Sequence, residues 1–229
     1  MGEEKMKVLI TGAAGAVGST LVKGMKDRHT IRGLDRLPMP DLTDTIEGDV
    51  ADFDTMLRAT EGMEAVIHLT GTDSEWEAAL QSNFIGTYNT LEAARLNDVK
   101  RIAYASRAGV LGPYPKSIKR TIDMPTKPVG HYTVSKVFGE AMGYSYVSRY
   151  DMEFVAVRIG NFNRDRPLPE HPHHLGHGDA VRVFEQAITH PDIKFEIVFG
   201  VSDSNWPLYD LDHGRLAIGY YPQDRYEHK

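Results

Sequence analysis

Tyr132 and Lys136 stand four residues apart in the run Tyr132-Thr133-Val134-Ser135-Lys136. On a helix, positions i and i+4 share a face, so this spacing holds a phenol beside an ammonium. The positive charge favours the phenolate and lowers the tyrosine pKa. Tyr132 is then suited to act as general base toward a substrate hydroxyl, or as acid in reverse. Ser106 and Arg107 follow a strand-like run, Arg101 to Ala105, and put a hydroxyl and a guanidinium at its C-terminal end. A third stretch, Gly12-Ala13-Ala14-Gly15-Ala16-Val17-Gly18, has the spacing G-x-x-G-x-x-G between a strand-like run (Lys7 to Thr11) and a helical pattern. There Gly12 permits a tight turn, Gly15 lets the backbone approach a pyrophosphate, and Gly18 lets the helix pack on the strand. Amide groups of the turn and helix start, from Ala14 through Ala16 and Val17, face the phosphate charge where the helix dipole favours it.

These groups need a scaffold, and the pattern of the chain supplies one. Strand-like runs at Lys7 to Thr11, His29 to Leu34, Thr45 to Gly48, Glu64 to Leu69, Arg101 to Ala105 and Glu153 to Ile159 alternate with helical runs at Ala16 to Lys26, Phe53 to Thr60, Glu75 to Asn97 and His131 to Arg149. Such alternation predicts an α/β fold, a Rossmann-type doubly wound parallel sheet with helices on both faces. Ligands then bind at the C-terminal strand ends, where Gly12, Asp35, Asp49, Thr70, Ser106 and Asn161 fall. Asp35, about 20 residues past the glycine turn, suits a ribose 2′-hydroxyl and argues for NAD rather than NADP. Arg36 beside it could instead accept a 2′-phosphate. Asp49 and Val50 lie at the adenine edge; Leu69, Thr70, Gly71 and Ile159 complete the dinucleotide side. His68, within an apolar run, reads as a satisfied interior histidine.

After Asn161 the chain turns polar and proline-broken, and reads as a lid crossing the cleft. Residues 1–160 form the NAD-binding core and 161–229 a small substrate lobe and lid within the same domain. Arg164 and Arg166 in that loop suit an anionic substrate. His171, His173, His174 and His177 read as loop residues lining the substrate entrance, not as a metal site. A final helix is predicted over Tyr209 to Ile218.

Composition narrows the function classes. The 229 residues are 41% hydrophobic and 25% charged with a net charge of −6, so a basic stripe for nucleic acid is missing. There is no cysteine, which excludes disulfides, thiolate metal sites and a thiol nucleophile. No apolar run reaches membrane-spanning length, and Met1-Gly2-Glu3-Glu4-Lys5 lacks a secretory pattern, so a cytoplasmic protein without membrane or nucleic-acid partners is expected.

Taken together, Thr11 to Gly18, Asp49, Asn83-x-x-Gly86-Thr87-x-Asn89 and Tyr132-x-x-x-Lys136 resemble the extended short-chain dehydrogenase/reductase family, the NAD-dependent epimerase/dehydratase group. The likeness spans nearly the whole chain. Arg158-Ile159-Gly160-Asn161 with Arg164-Asp165, the run Glu196 to Asp203 and the ending Gly219 to Asp224 are similar to the branch holding uronate dehydrogenases and haloarchaeal NAD-dependent glucose-6-phosphate dehydrogenases. The resemblance implies that Lys136 also binds the nicotinamide ribose, that Asn83 orders the active-site backbone, and that two copies pair through the helices carrying Asn83 and Tyr132, with Leu80, Phe84, Tyr88, Leu91, Val137, Met142 and Tyr146 as candidate apolar surface. It implies an NAD-dependent oxidoreductase acting on a hydroxyl of a sugar, sugar acid or sugar phosphate. The run Ala105-Ser106-Arg107-Ala108-Gly109 departs from the family pattern: Arg107 occupies the place of its catalytic serine, and Ala108-Gly109 stand where the sugar-oxidising branch commonly has Asn-His. Three readings follow. Ser106 substitutes for it; Arg107 itself holds a carboxylate or phosphate or stabilises an alkoxide; or the chemistry is lost, leaving a silent dinucleotide-binding sensor. An epimerase or dehydratase that retains its NAD is the other enzymatic alternative. Ser106, Arg107, Asn161 and Arg164 are the candidate substrate contacts.

Overall fold

The structure is a computed structural model that describes residues 5–227; residues 1–4, part of the stretch read above for a secretory pattern, lie outside it. Seven strands form one parallel sheet: β1 (Lys7–Thr11), β2 (Thr30–Asp35), β3 (Asp44–Glu47), β4 (Ala65–His68), β5 (Arg101–Arg107), β6 (Glu153–Ile159) and β7 (Phe195–Gly200). Their spatial order is β3-β2-β1-β4-β5-β6-β7. The order reverses between β1 and β4, so the ends of these two strands open the crevice where a ligand settles in such sheets. Because β7 extends the sheet beyond β6, the segment after Asn161 adds to the main core as well as to the cleft.

Alternation along each strand sends side chains to two cores. Val8, Ile10, Ile67, Ala103, Ala105, Val155 and Val157 face α1 (Ala16–Met25) and α6 (His177–Thr189). Leu9, Val66, Ile102, Tyr104, Phe154 and Ala156 face α2 (Phe53–Thr60), α4 (Gly86–Leu96) and α5 (His131–Arg149). A sheet buried on both faces needs near-continuous apolar runs, which is why Val8 to Ile10, Ala65 to Ile67 and Phe154 to Val157 read that way. Leu91 and Tyr146, listed above as possible pairing surface, belong to this second core instead.

Two placements matter for the site. Helix α5 lies unusually close to the sheet because it carries Gly139 and Gly143 on the strand-facing stripe. A Cβ at Gly139 would stand 2.2 Å from the Tyr104 ring, and one at Gly143 would stand 2.4 Å from Phe154. That stripe also carries Tyr132 and Lys136, so the glycines draw both toward the strand ends. The long helix predicted over Glu75 to Asn97 is α3 (Trp76–Ala79), a π-helical segment over Leu80–Ile85, and α4. The wider turn buries Ser82 and Asn83. A small lobe joins Ala108, Val110 and Leu111, in a 3-10 turn after β5, to Phe199, Val201, Leu208 and Tyr209. The predicted last helix is shorter, α7 (Asp212–Ile218), since Arg120 pairs its backbone with Leu208 and Asp210 and keeps that stretch extended. A two-residue ribbon of β8 (Asp203–Ser204) and β9 (Arg225–Tyr226) completes the described chain.

Candidate active site

The glycine turn is built by backbone fit. Gly12 has φ +71°, a left-handed conformation that side chains resist. A Cβ at Gly18 would lie 2.1 Å from the Gly12 carbonyl oxygen, so only glycine lets α1 start this close to β1. Asp35 at the end of β2 accepts hydrogen bonds from the Ala14 amide (3.0 Å) and the Leu37 amide (3.0 Å). The Ala14 amide is therefore spent on holding Asp35 and is not an open phosphate donor.

Two adjoining cavities cover the strand ends. One, of about 170 Å³, is lined by Leu34, Asp35, Arg36, Asp49, Val50 and Thr70. The other, of about 630 Å³, is lined by Ala16, Val17, Gly18, Ser106, Arg107, Tyr132, Lys136, Ile159 and Asn161 among others. Gly12, Gly15, Leu69 and Gly71 line both. Most residues expected at the site thus meet in one cleft. Asn83 does not line it. Its side chain bonds the Thr72 backbone at both amide (2.8 Å) and carbonyl (2.9 Å) and donates to Ser135 Oγ (3.0 Å), fixing the loop between Gly71 and Asp73. Arg164 is not on the cleft either; its Nη2 donates to the Ala14 carbonyl (2.9 Å) and straps the 161–176 loop to the glycine turn. Its expected contact with substrate is not made from there.

Ser106 and Arg107 are directed differently. Ser106 Oγ donates to Glu140 Oε1 (2.6 Å), and the same carboxylate takes two bonds from Arg158 (2.9 Å each) with both side chains buried. That hydroxyl has its one proton engaged by Glu140 and does not have it free for a substrate oxygen, which weighs against the reading in which Ser106 substitutes for the family serine. Arg107 lies half-buried in the cleft, its Cζ 5.3 Å from the centre of the Tyr132 ring and its Nη1 3.4 Å from Thr133 Oγ1.

The Lys136 ammonium lies 5.3 Å from the Tyr132 ring centre, is 2% exposed, and has no hydrogen-bond partner among the described residues. Burial, and secondarily Arg107, push its pKa down to about 8. The spacing argument expected Lys136 to depress the Tyr132 phenol. In the structure burial raises that phenol, Arg107 is the cation that draws it back down, and Asp73 opposes. The reason is that desolvation outweighs a neighbour whose own charge is weakened by burial. His68 is an interior histidine, bonded to Thr11, Thr90 and Thr87 and held neutral with a pKa near 3, by burial first and Lys136 second.

Sequence reasoning missed Asp73, Gly109, Phe162 and Tyr209, all on the larger cavity with His173. His173 was in view as a loop histidine, and its Nδ1 pairs with Tyr209 OH (2.9 Å), a partner 36 positions away that no local pattern marks. His171, His174 and His177 bond to Asn161, Glu170 and Asn163 respectively.

The cleft fits a dinucleotide. Thr70 Oγ1 is buried without a partner among the described residues, the Lys136 ammonium is likewise unpartnered, and a Cβ at Gly71 would fill the space 3.2 Å from that ammonium. Asp35 and the glycine turn would hold the ribose and pyrophosphate ends.

Comparison with known proteins agrees with this geometry. The model of the NAD dependent epimerase/dehydratase family matches residues 8–176. The NAD-dependent glucose-6-phosphate dehydrogenase of Haloferax volcanii is 34% identical over 95% of this chain and 93% of its own. The uronate dehydrogenase of Pseudomonas syringae pv. tomato is 34% identical over 96% and 83%. The crystal structure of a uronate dehydrogenase variant from Agrobacterium tumefaciens, solved with NAD, superposes with a TM-score of 0.89 at 29% identity, covering 97% of this chain and 86% of that one. With a glycine turn, an acid at the end of β2 and a tyrosine–lysine pair on one cleft, and with relatives that are dehydrogenases along nearly their full length, the chain belongs to the NAD-dependent epimerase/dehydratase family of enzymes.

Proposed function

We propose that this enzyme oxidises a hydroxyl of a sugar, sugar acid or sugar phosphate, with NAD as the oxidant. The observation that carries this reading is the placement of Tyr132 and Lys136 on the cavity that continues into the glycine turn. Bound NAD supplies the hydride acceptor. The chain's own residues do the rest. Gly12, Gly15, Ala16, Val17 and Gly18 cradle the pyrophosphate, while Asp35, Asp49 and Val50 form the adenosine end. Arg36 leans on Asp49 (3.6 Å), and two carboxylates against one guanidinium disfavour a 2′-phosphate, hence NAD over NADP. Lys136 points its unpartnered ammonium at the ribose side and keeps a positive charge beside Tyr132. Tyr132 takes the proton from the substrate hydroxyl. Leu69, Gly71 and Ile159 pack the nicotinamide end, and Asn161 lines the substrate side.

The curated relatives named for glucose-6-phosphate and uronate, and an L-arabinose dehydrogenase from Haloferax volcanii that is 33% identical over 67% of this chain, support a sugar substrate. We infer that two copies pair through α4 and α5, where Tyr88 and Tyr144 are exposed. On this reading the enzyme works in the cytoplasm, among its cofactor and sugar pools. No helix of the described chain is long and apolar enough to cross a membrane.

Mixing the protein with NAD and a panel of uronates, aldoses and sugar phosphates, while following reduced-nicotinamide absorbance, tests the assignment. Turnover of at least one sugar is expected. Tight NAD binding with no turnover on any of them contradicts it.

A further inference from the structure

Arg107 presents a problem that the family chemistry does not resolve. Its guanidinium has no ion-pair partner among the described residues, yet it lines the larger cavity beside the Tyr132 ring. The neighbouring hydroxyl, Ser106, is spent on Glu140. Two residues on, the chain has made room for it. A Cβ at Gly109 would lie 2.7 Å from Arg107 Nε, 3.0 Å from Cζ and 3.1 Å from Nη2. The guanidinium therefore occupies the space in which any larger side chain at 109 would stand, with its Cζ 5.3 Å from the centre of the Tyr132 ring. Gly109 has no positive φ to explain it.

An unpaired, half-buried guanidinium beside a proton acceptor needs an anion to face. Resting on the oxidoreductase reading above, we propose that Arg107 donates a hydrogen bond to the reacting oxygen of the substrate, and that Gly109 is the position whose lack of a side chain lets it stand there. In the step, Tyr132 first loses its own proton to solvent; the substrate O–H bond then breaks and its proton passes to the phenolate oxygen. The C–H bond breaks with its electron pair leaving as hydride to the oxidised cofactor, and the C=O bond forms. Arg107 exchanges neither proton nor electron; it stabilises charge on the oxygen as the proton leaves. Fixed donors aimed at developing charge are worth more in a cleft than in water. An arginine is suited to this because it stays charged throughout the working pH range. The charged and titratable groups facing Tyr132 are Lys136 on its own helix, Arg107 from β5 and Asp73 from the loop after β4, with Tyr104 beneath. Of the two cations, Arg107 is the one that counters the burial of the phenol.

The rival role for Arg107 is a clamp on a carboxylate or phosphate elsewhere on the sugar, and the two roles give opposite kinetics. Arg107→Met is compared with wild type on a neutral aldose and on an anionic sugar. A donor to the reacting oxygen predicts that kcat falls about 100-fold or more on both, with KM little changed. A rise in KM confined to the anionic sugar overturns the proposal in favour of the clamp, and unchanged kinetics overturn it outright. Arg107→Lys, which keeps the charge but not the fork, restores part of kcat. Gly109→Ala crowds only the end of a flexible side chain, so it keeps the wild-type melting temperature and yet lowers kcat; full activity in that variant counts against the proposal.

A readout free of turnover separates this idea from the reading it rests on. Ultraviolet titration of tyrosine ionisation in the cofactor-free protein, with Tyr132→Phe subtracted, isolates the Tyr132 component. In Arg107→Met that component moves to higher pH. If it does not move, Arg107 does not stand beside the Tyr132 oxygen where a donor to the reacting oxygen must stand, and the proposal fails whether or not a sugar is ever found; if it moves while no sugar reacts, the oxidoreductase reading is what has failed.

Discussion

The two ends of the cleft are made of different materials. The end at β1 and β2 is backbone: glycines at 12 and 18, a left-handed φ, and an aspartate whose oxygens are held by two main-chain amides. The end at β5 and β6 is charge held out of water: the buried Glu140–Arg158 pair under Ser106, the buried Lys136 ammonium and the half-buried Arg107 guanidinium. The first end is correct as soon as the local chain is correct. The second depends on groups far apart in sequence settling each other's charges, such as Ser106 and Glu140, 34 positions apart. Backbone can specify where a cofactor sits, but tuning a proton acceptor takes side chains whose charges are partly desolvated.

If that contrast is right, the charged end is the more costly to disturb. Glu140→Ala strands Arg158, 3% exposed, without its carboxylate. Removing one partner of a buried pair typically costs about 3–5 kcal/mol. Denaturant unfolding should register a loss of that size, whereas a loss below about 1 kcal/mol would show that water reaches Arg158. At the backbone end, Gly18→Ala puts a methyl on the Gly12 carbonyl, and forced overpacking costs about 1–3 kcal/mol. Calorimetry should show that smaller loss together with weaker NAD binding; intact binding would mean the turn has room to give.

Lys136→Met runs the other way. Wild type bears the cost of a buried ammonium below pH 8, where both folded and unfolded chains hold the proton. Between about 8 and the unfolded value of 10.5 the folded chain releases it first, so wild-type stability rises with pH across that window. The methionine variant should therefore be inactive yet more stable at neutral pH by about 1–2 kcal/mol, less than the full shift implies because the ammonium opens on the cleft. The gap should close as pH climbs through that window. A variant less stable than wild type at pH 7 would mean that Lys136 is satisfied after all.

The same contrast sets what could be read from residues alone. The strands, the glycine turn, the acid at the end of β2 and the Tyr132–Lys136 spacing carry their geometry in local pattern, and the structure has them where the pattern put them. The π-helical turn at Leu80–Ile85 was not legible. It exists so that Asn83 can reach the Thr72 backbone, a contact across the cleft loop. Nor was the direction of Ser106 or Arg164 legible, since each is set by a distant partner, Glu140 and the Ala14 carbonyl; that of Arg107 is set against the Tyr132 ring, 25 positions on. The sign of the pKa shift at Tyr132 was missed for the same reason, because burial is a property of the assembled cleft.

Proton transfer by Tyr132 is the claim on which the account turns, and one comparison reaches it directly. At saturating NAD and a sugar that the wild-type protein oxidises, kcat is measured for Tyr132→Phe, with NAD affinity measured alongside. Loss of a positioned general base should lower kcat by about 100- to 10,000-fold while NAD binds as before. A phenylalanine variant that turns over at the wild-type rate would mean that some other group takes the proton.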